Sequence, residues 1–158
     1  MPTEIPPLPP IEQAQTPQVS VDQLQNAIGF QESSGDYRAY NDYSYGKSNP
    51  ALGKYQMLWT TLSEAAQRNN IDPPASQEEF LNDPRKQEQI ADALFDEYIQ
   101  QAYKDTDDLD TAIRMAAAAW YGGPGNMKNY DDDTPQGDYP SLRHYTRSVL
   151  QKYKRGGM

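Results

Sequence analysis

The sequence predicts a mainly α-helical domain with long loops and at most a small hairpin, preceded by an extended proline-rich arm. Three observations predict it. Apolar residues recur at helical spacing in separate stretches along most of the chain. Six of the 13 prolines fall within residues 2–17. The 158 residues, 17.9 kDa, make one ordinary domain, long enough to bury a core without staples.

The arm comes first. Proline lacks an amide donor and fixes φ, so MPTEIPPLPPIEQAQTP cannot join a helix or sheet interior. Residues 1–18 read as a polyproline-like arm and 19–158 as the domain. At roughly 3.1 Å per residue the arm reaches about 50 Å, which suits docking on a protein partner.

Ser20 and Gln23 form an S-x-x-Q capping box, with Val19 and Leu24 as its hydrophobic staple. Val21, Leu24 and Ile28 continue a helix over 21–33, and Gly35 supplies its stop. Residues 36–54 carry no helical period and read as a long loop with room for a short hairpin. Helical patterns return at about 59–69 and 84–103, the second marked by Ile90, Leu94, Phe95, Tyr98 and Ala102. Asp108 caps a further helix at about 109–120, with Leu109, Ile113, Ala116 and Trp120 on one face. After a Gly/Pro/Asp-rich connection, Leu142, Tyr145 and Val149 mark a last helix at about 141–153.

Composition excludes several functions. With 14 basic and 23 acidic residues the net charge is -9, so a nucleic-acid partner is not expected. No cysteine is present, which removes disulfides and thiolate chemistry. His144 is the single histidine and reads as a surface residue. No apolar run approaches the roughly 18 residues of a membrane span, and no secretory signal opens the chain. The run DTDDLD at 105–110 lacks the glycine of a calcium loop and has Ala116 at its twelfth position, so it reads as a solvated, helix-capping run. The same reading covers Asp131–Asp133, and neither a metal nor a cofactor is expected.

One carboxyl stands out. Glu32 lies on the last turn of the first helix, four residues after Ile28, so it extends the buried apolar stripe. Burial and the negative end of the helix dipole both raise a carboxyl pKa, and a protonated glutamate near neutral pH is what a general acid requires.

Four segments around it resemble, in order, the motifs of the soluble lytic transglycosylase and goose-type lysozyme superfamily. ESSGDYRAYN (32–41) is similar to the catalytic segment, ALGKYQM (51–57) to G-L-x-Q, AWYGGPGNM (119–127) to A-Y-N-x-G-P-G-N-V, and YPSLRHYTRSVL (139–150) to P-x-E-T-R-x-Y-V. Gly53, Gln56, Arg143 and Tyr145 fall in register. Lys54 stands in place of an apolar residue, Trp120 of tyrosine, Tyr121 of asparagine, and Ser141 and Leu142 of the Glu-Thr pair.

The resemblance implies an α+β lysozyme-like fold and a peptidoglycan lytic transglycosylase. Glu32 would protonate the glycosidic oxygen between N-acetylmuramic acid and N-acetylglucosamine, then act as base while the muramyl O6 closes a 1,6-anhydro ring. Ser33, Gln56, Tyr55, Trp120, Tyr121 and Tyr145 are the expected substrate-binding residues, Gln56 through its amide and the aromatics through ring faces and polar tips. An ordinary glycosidase needs a second carboxylate; Asp36 and Asp42 are nearest in sequence, and Asp36 reads as a turn residue after Gly35. A hydrolytic muramidase on the same scaffold, or a structural tail or baseplate protein, are the alternatives. The arm, the small size and the missing signal point to a virion-associated enzyme of a phage tail, acting in the bacterial wall.

Overall fold

A computed structural model of the chain describes residues 18–41 and 45–156. The proposed arm, save its last residue, and Asp42 lie outside them.

Helix α1 (Val21–Ser33) starts at Ser20, whose Oγ accepts the Gln23 N–H at 3.3 Å. The reciprocal half of the expected capping box is not made. Gln23 Nε2 donates to the Tyr153 carbonyl, and the Ser20 N–H donates to the Tyr153 hydroxyl at 2.9 Å. The Val19 N–H donates to the Tyr103 hydroxyl at 2.6 Å, so tyrosines remote in sequence satisfy the donors at the entry to the helix. At the other end the chain reverses at Ser34 (φ 57), one residue before the expected Gly35, which follows at φ 85. The Ser34 and Gly35 N–H groups return to the carbonyls of Phe30 and Gly29.

Strands β1 (Ala51–Leu52) and β2 (Met57–Leu58) pair antiparallel, Ala51 opposite Leu58 and Leu52 opposite Met57. This hairpin lies at the end of the stretch read as loop and runs past it. Its turn needs Gly53 at φ 82 and bends again at Gln56, φ 51. There follow α2 (Trp59–Arg68), α3 (Gln77–Leu81), α4 (Pro84–Tyr103), α5 (Leu109–Gly122), a 3-10 helix (Pro124–Asn129) and α6 (Leu142–Lys154). Ser76, Asp83, Asp108 and Ser141 cap α3, α4, α5 and α6 with their side-chain oxygens. The five long helices lie within a residue or two of the sequence reading. Helix α3 and the 3-10 helix are additions, each too short to show a repeating apolar period.

Helix α5 is the centre. Ala112, Ile113, Met115 and Ala116 to Ala119 are all buried, and a helix apolar nearly all round belongs inside. Its alanines admit close approach by α4, α6 and the 3-10 helix, while α1 packs against α4 and α6. The α1 face formed by Leu24, Ala27 and Ile28 is fully buried, each larger side chain contributing about 1.5–3 kcal/mol. That packing fixes the end of α1 beside the start of α6. Among the described residues no helix is long and apolar enough to cross a membrane.

Candidate active site

Glu32 extends from the last turn of α1 toward α6, where the Tyr145 hydroxyl donates to its Oε2 at 2.6 Å. Burial raises its pKa from 4.5 to about 7, against the opposing pull of the Tyr145 hydrogen bond, which favours the carboxylate. Tyr145 is buried, and its own hydroxyl is held protonated by that burial and by Glu32. Tyr121 stacks on it, ring centroids 4.2 Å apart and planes 10° apart, and donates its hydroxyl to the Pro140 carbonyl at 2.7 Å. Thus the substitution of tyrosine at 121 clamps the ring that holds the acid. Ser148, one turn further along α6, donates to Gln31 Oε1 at 2.7 Å and fastens the same end of α1.

The hairpin is tied to the acid through the next residue. Ser33 Oγ donates to the Lys54 carbonyl at 2.6 Å and accepts the Asp36 N–H at 3.0 Å. Asp36 is exposed, and its Oδ1 accepts the Arg38 N–H, the turn role read from sequence. Gln56 Nε2 donates to the carbonyls of Ala39 and Gly53, which sews the hairpin turn to the loop after α1. Of the amide expected to meet substrate, Nε2 is thus engaged by the fold itself. Ser33 likewise spends its hydroxyl on the fold, as a positioning residue.

Two of the expected aromatics are engaged in packing, Tyr55 within the core and Trp120 against it. Tyr55 is 1% exposed, edge-on to Phe95 and Trp120, with its hydroxyl on Glu88. Trp120 stacks on Phe95 at 4.1 Å and donates its ring N–H to the Tyr55 carbonyl. Packing accounts for Tyr55, whereas Trp120 keeps part of its surface exposed; both support the Gly-Lys-Tyr-Gln turn. The structure thus brings Glu32, Ser33, Tyr145 and Tyr121 together, with Gln56 on the adjoining hairpin.

Sequence reasoning missed the pair on α4 that anchors this hairpin. Buried Gln87 accepts the Lys54 N–H through Oε1 and donates through Nε2 to the carbonyls of Tyr37 and Phe80. Glu88 accepts from the hydroxyls of Tyr37 (2.5 Å) and Tyr55 (2.7 Å) and from Lys54 Nζ (3.1 Å). Burial alone would raise its pKa, but the three donors outweigh it and hold Glu88 below the ordinary glutamate value. Lys54 is therefore committed to Glu88, with its stem against Gly29. On a helix, adjacent Gln and Glu look like an ordinary polar face, and nothing in their spacing signals this role.

The acidic runs are also put to structural use. Asp108 accepts the Thr111 N–H as the cap of α5. Asp131 is not simply solvated: it bridges Arg114 and Arg143, and Arg143 also reaches Asp133. Ser141 caps α6 and Leu142 joins the core, which accounts for both residues at the start of the closing motif. His144 is exposed. Among the described residues no group of three acidic or histidine side chains is placed to hold a metal ion.

A single half-buried carboxyl with a pKa near neutrality, gripped on one oxygen by a tyrosine, is equipped for proton transfer. Comparison with curated proteins finds no match. Residues 9–140 match the family profile of the transglycosylase SLT domain, a span that holds Glu32, Gln56 and the hairpin and stops just before the helix of Tyr145. The chain belongs to the transglycosylase SLT domain family, whose members carry out lytic-transglycosylase-type degradation of peptidoglycan.

Proposed function

We propose that Glu32 is the one catalytic carboxyl of a lytic transglycosylase that cleaves the β-1,4 bond between N-acetylmuramic acid and N-acetylglucosamine. The observation that carries the reading is its setting: burial at the end of α1, with the Tyr145 hydroxyl on one oxygen, pushes its pKa up to about 7, so the acid form is available near neutral pH. The Tyr145 hydroxyl occupies Oε2 as a donor, so the carboxyl proton belongs on Oε1, which is then the atom offered to the glycosidic oxygen. Protonation lets the N-acetylglucosamine leave as an alcohol. Glu32, now a carboxylate stabilised by Tyr145, removes the proton from the muramyl O6 hydroxyl as that oxygen bonds to C1. The acid is regenerated and the product ends in a 1,6-anhydro ring. General acid–base transfer of this kind supplies about 10²–10⁴ in rate, and distortion of the bound sugar must supply more.

Two features support a single-carboxylate route. Among the described residues, what acts on Glu32 is its burial and Tyr145, with no carboxylate beside them. Asp36, the nearest described candidate, is exposed and engaged in its turn. Mass spectrometry of muropeptides released from purified sacculi tests the proposal. Anhydro ends, one water lighter than hydrolytic ones, are expected; reducing ends would make the enzyme a muramidase, and no release would leave the scaffold with a structural role.

The proline-rich segment supports delivery of this activity to the wall as part of a larger particle such as a phage tail. Removing residues 1–18 is expected to spare lysis of purified wall and to weaken incorporation into that particle.

A further inference from the structure

If the chain handles a glycan strand, as proposed above, some aromatic face must be free to meet it. Around Glu32 most are not. Tyr55 and Tyr145 are buried, Trp120 is stacked on Phe95, and one face of Tyr121 is covered by Tyr145. The most exposed large apolar side chain among the described residues is Tyr139, at 69%.

Tyr139 is displayed by a rigid device. The Gln136 N–H donates to the Tyr139 carbonyl and the Tyr139 N–H donates back to the Gln136 carbonyl, at 3.1 and 3.0 Å. Gly137, φ 63, makes the tight turn between them. The next residue, Pro140, accepts the Tyr121 hydroxyl, and Ser141 then caps α6. Contacts therefore run without a break from Glu32 to Tyr145, to Tyr121, and to the backbone beside Tyr139. The ring is mostly exposed, yet its backbone is fixed and it stands beside Tyr121, at the outer end of the tyrosines that grip the acid.

The charge around it selects the ligand. Platforms for nucleic-acid bases come with cations for the phosphates. Here the neighbours in sequence are Asp138 and, nearer Arg143, Asp131 to Asp133. With Asp131 and Asp133 already paired to arginine, the rim has no surplus of cations for a phosphate backbone, and the apolar C–H face of a sugar ring is the fitting partner for a tyrosine. We propose that Tyr139 is a sugar-stacking platform, a subsite for a glycan ring beyond the one cleaved at Glu32.

The test uses the full chain carrying Glu32→Gln, which stops turnover, and peptide-free oligosaccharides of alternating N-acetylglucosamine and N-acetylmuramic acid as probes. Calorimetry would compare a disaccharide with an octasaccharide. Adding Tyr139→Ala is expected to weaken octasaccharide binding about tenfold, the equivalent of about 1.4 kcal/mol, and to leave the disaccharide within about twofold. Tyr139→Phe, which keeps the ring face, should stay within about twofold of the parent on both. Octasaccharide binding unchanged by Tyr139→Ala, or lost as fully in Tyr139→Phe, would overturn the platform while leaving the proposed function intact. A parent that binds neither oligosaccharide would overturn both.

Discussion

Replacing Glu32 with glutamine separates the chemistry of the site from its cost to the fold. The side chain keeps its volume and still presents an oxygen to the Tyr145 hydroxyl, but it loses the titrating proton. In the folded protein the Glu32 carboxyl titrates at about 7, in the unfolded chain near its ordinary 4.5. The sign follows from which state holds the proton. Below 4.5 both do, and Glu32 contributes no pH dependence. Between 4.5 and about 7 the unfolded chain releases its proton first, so stability falls as pH rises. Above about 7 the full cost is present, about 3 kcal/mol at 1.36 kcal/mol per pH unit. The glutamine variant escapes it. Thermal and urea unfolding of both proteins from pH 4 to pH 8 is the assay, and the carboxylates common to the two cancel in the difference. The curves should coincide near pH 4 and separate progressively, with the variant ahead by about 3 kcal/mol at pH 8, or roughly 6–12 °C in Tm for a chain of this size. Wall lysis by the variant should be absent. Parallel curves across the whole range would refute the desolvated acid; lysis near the parent rate would refute Glu32 as the catalyst.

Three further outcomes follow from the same geometry. Wild-type lysis should fall as pH rises through about 7, and Tyr145→Phe should move that limb upward, because the lost hydrogen bond favours the carboxylate; a pH–rate profile of each protein checks this. Gly53→Ala should destabilise the fold by about 2–4 kcal/mol, since φ 82 disfavours a side chain and the new Cβ would lie 2.8 Å from Gln87 Cδ, as denaturant unfolding would record. Ser33→Ala removes the bond to the Lys54 carbonyl and should cost about 1 kcal/mol of stability while lowering kcat more than it raises KM, measured by steady-state lysis of soluble strands.

The long helices were legible in the sequence from their apolar periods, even α2, which has no side-chain cap. At Ser20 and Asp108 a readable cap agrees with the period, and the chain folds as they indicate. The carboxyl was legible too, because Glu32 continues the stripe of Leu24 and Ile28, and that spacing buries it. Side chains that act across the chain were not. The partner of Ser20 is Tyr153, 133 residues away, and the local Gln23 cannot reveal that its box is broken. The burial of Tyr55 and the stack of Trp120 on Phe95 were not legible either, since an aromatic ring suits a sugar platform and a core alike. Lys54 appeared foreign to an apolar position because its partner, Glu88, lies in a helix that sequence spacing does not bring near.

These long-range ties share a purpose that each alone does not disclose. Helix α1 ends in a carboxyl whose ionisation is unfavourable where it stands, and on either side the backbone is held in the left-handed region at residues other than glycine, Ser34 and Gln56. Such conformations cost roughly 1–2 kcal/mol each and persist only where the surroundings hold them. The surroundings here do so from both ends of α1. Tyr153 and Tyr103 secure its first turn, while Tyr145 and Ser148 secure its last. Three of those four residues lie on α6, so one helix fixes both the position of the acid and the start of the helix that carries it. Loosening α6 at Tyr153 would therefore act on Glu32 through α1, at a distance from the site and with no change in any residue that meets the substrate.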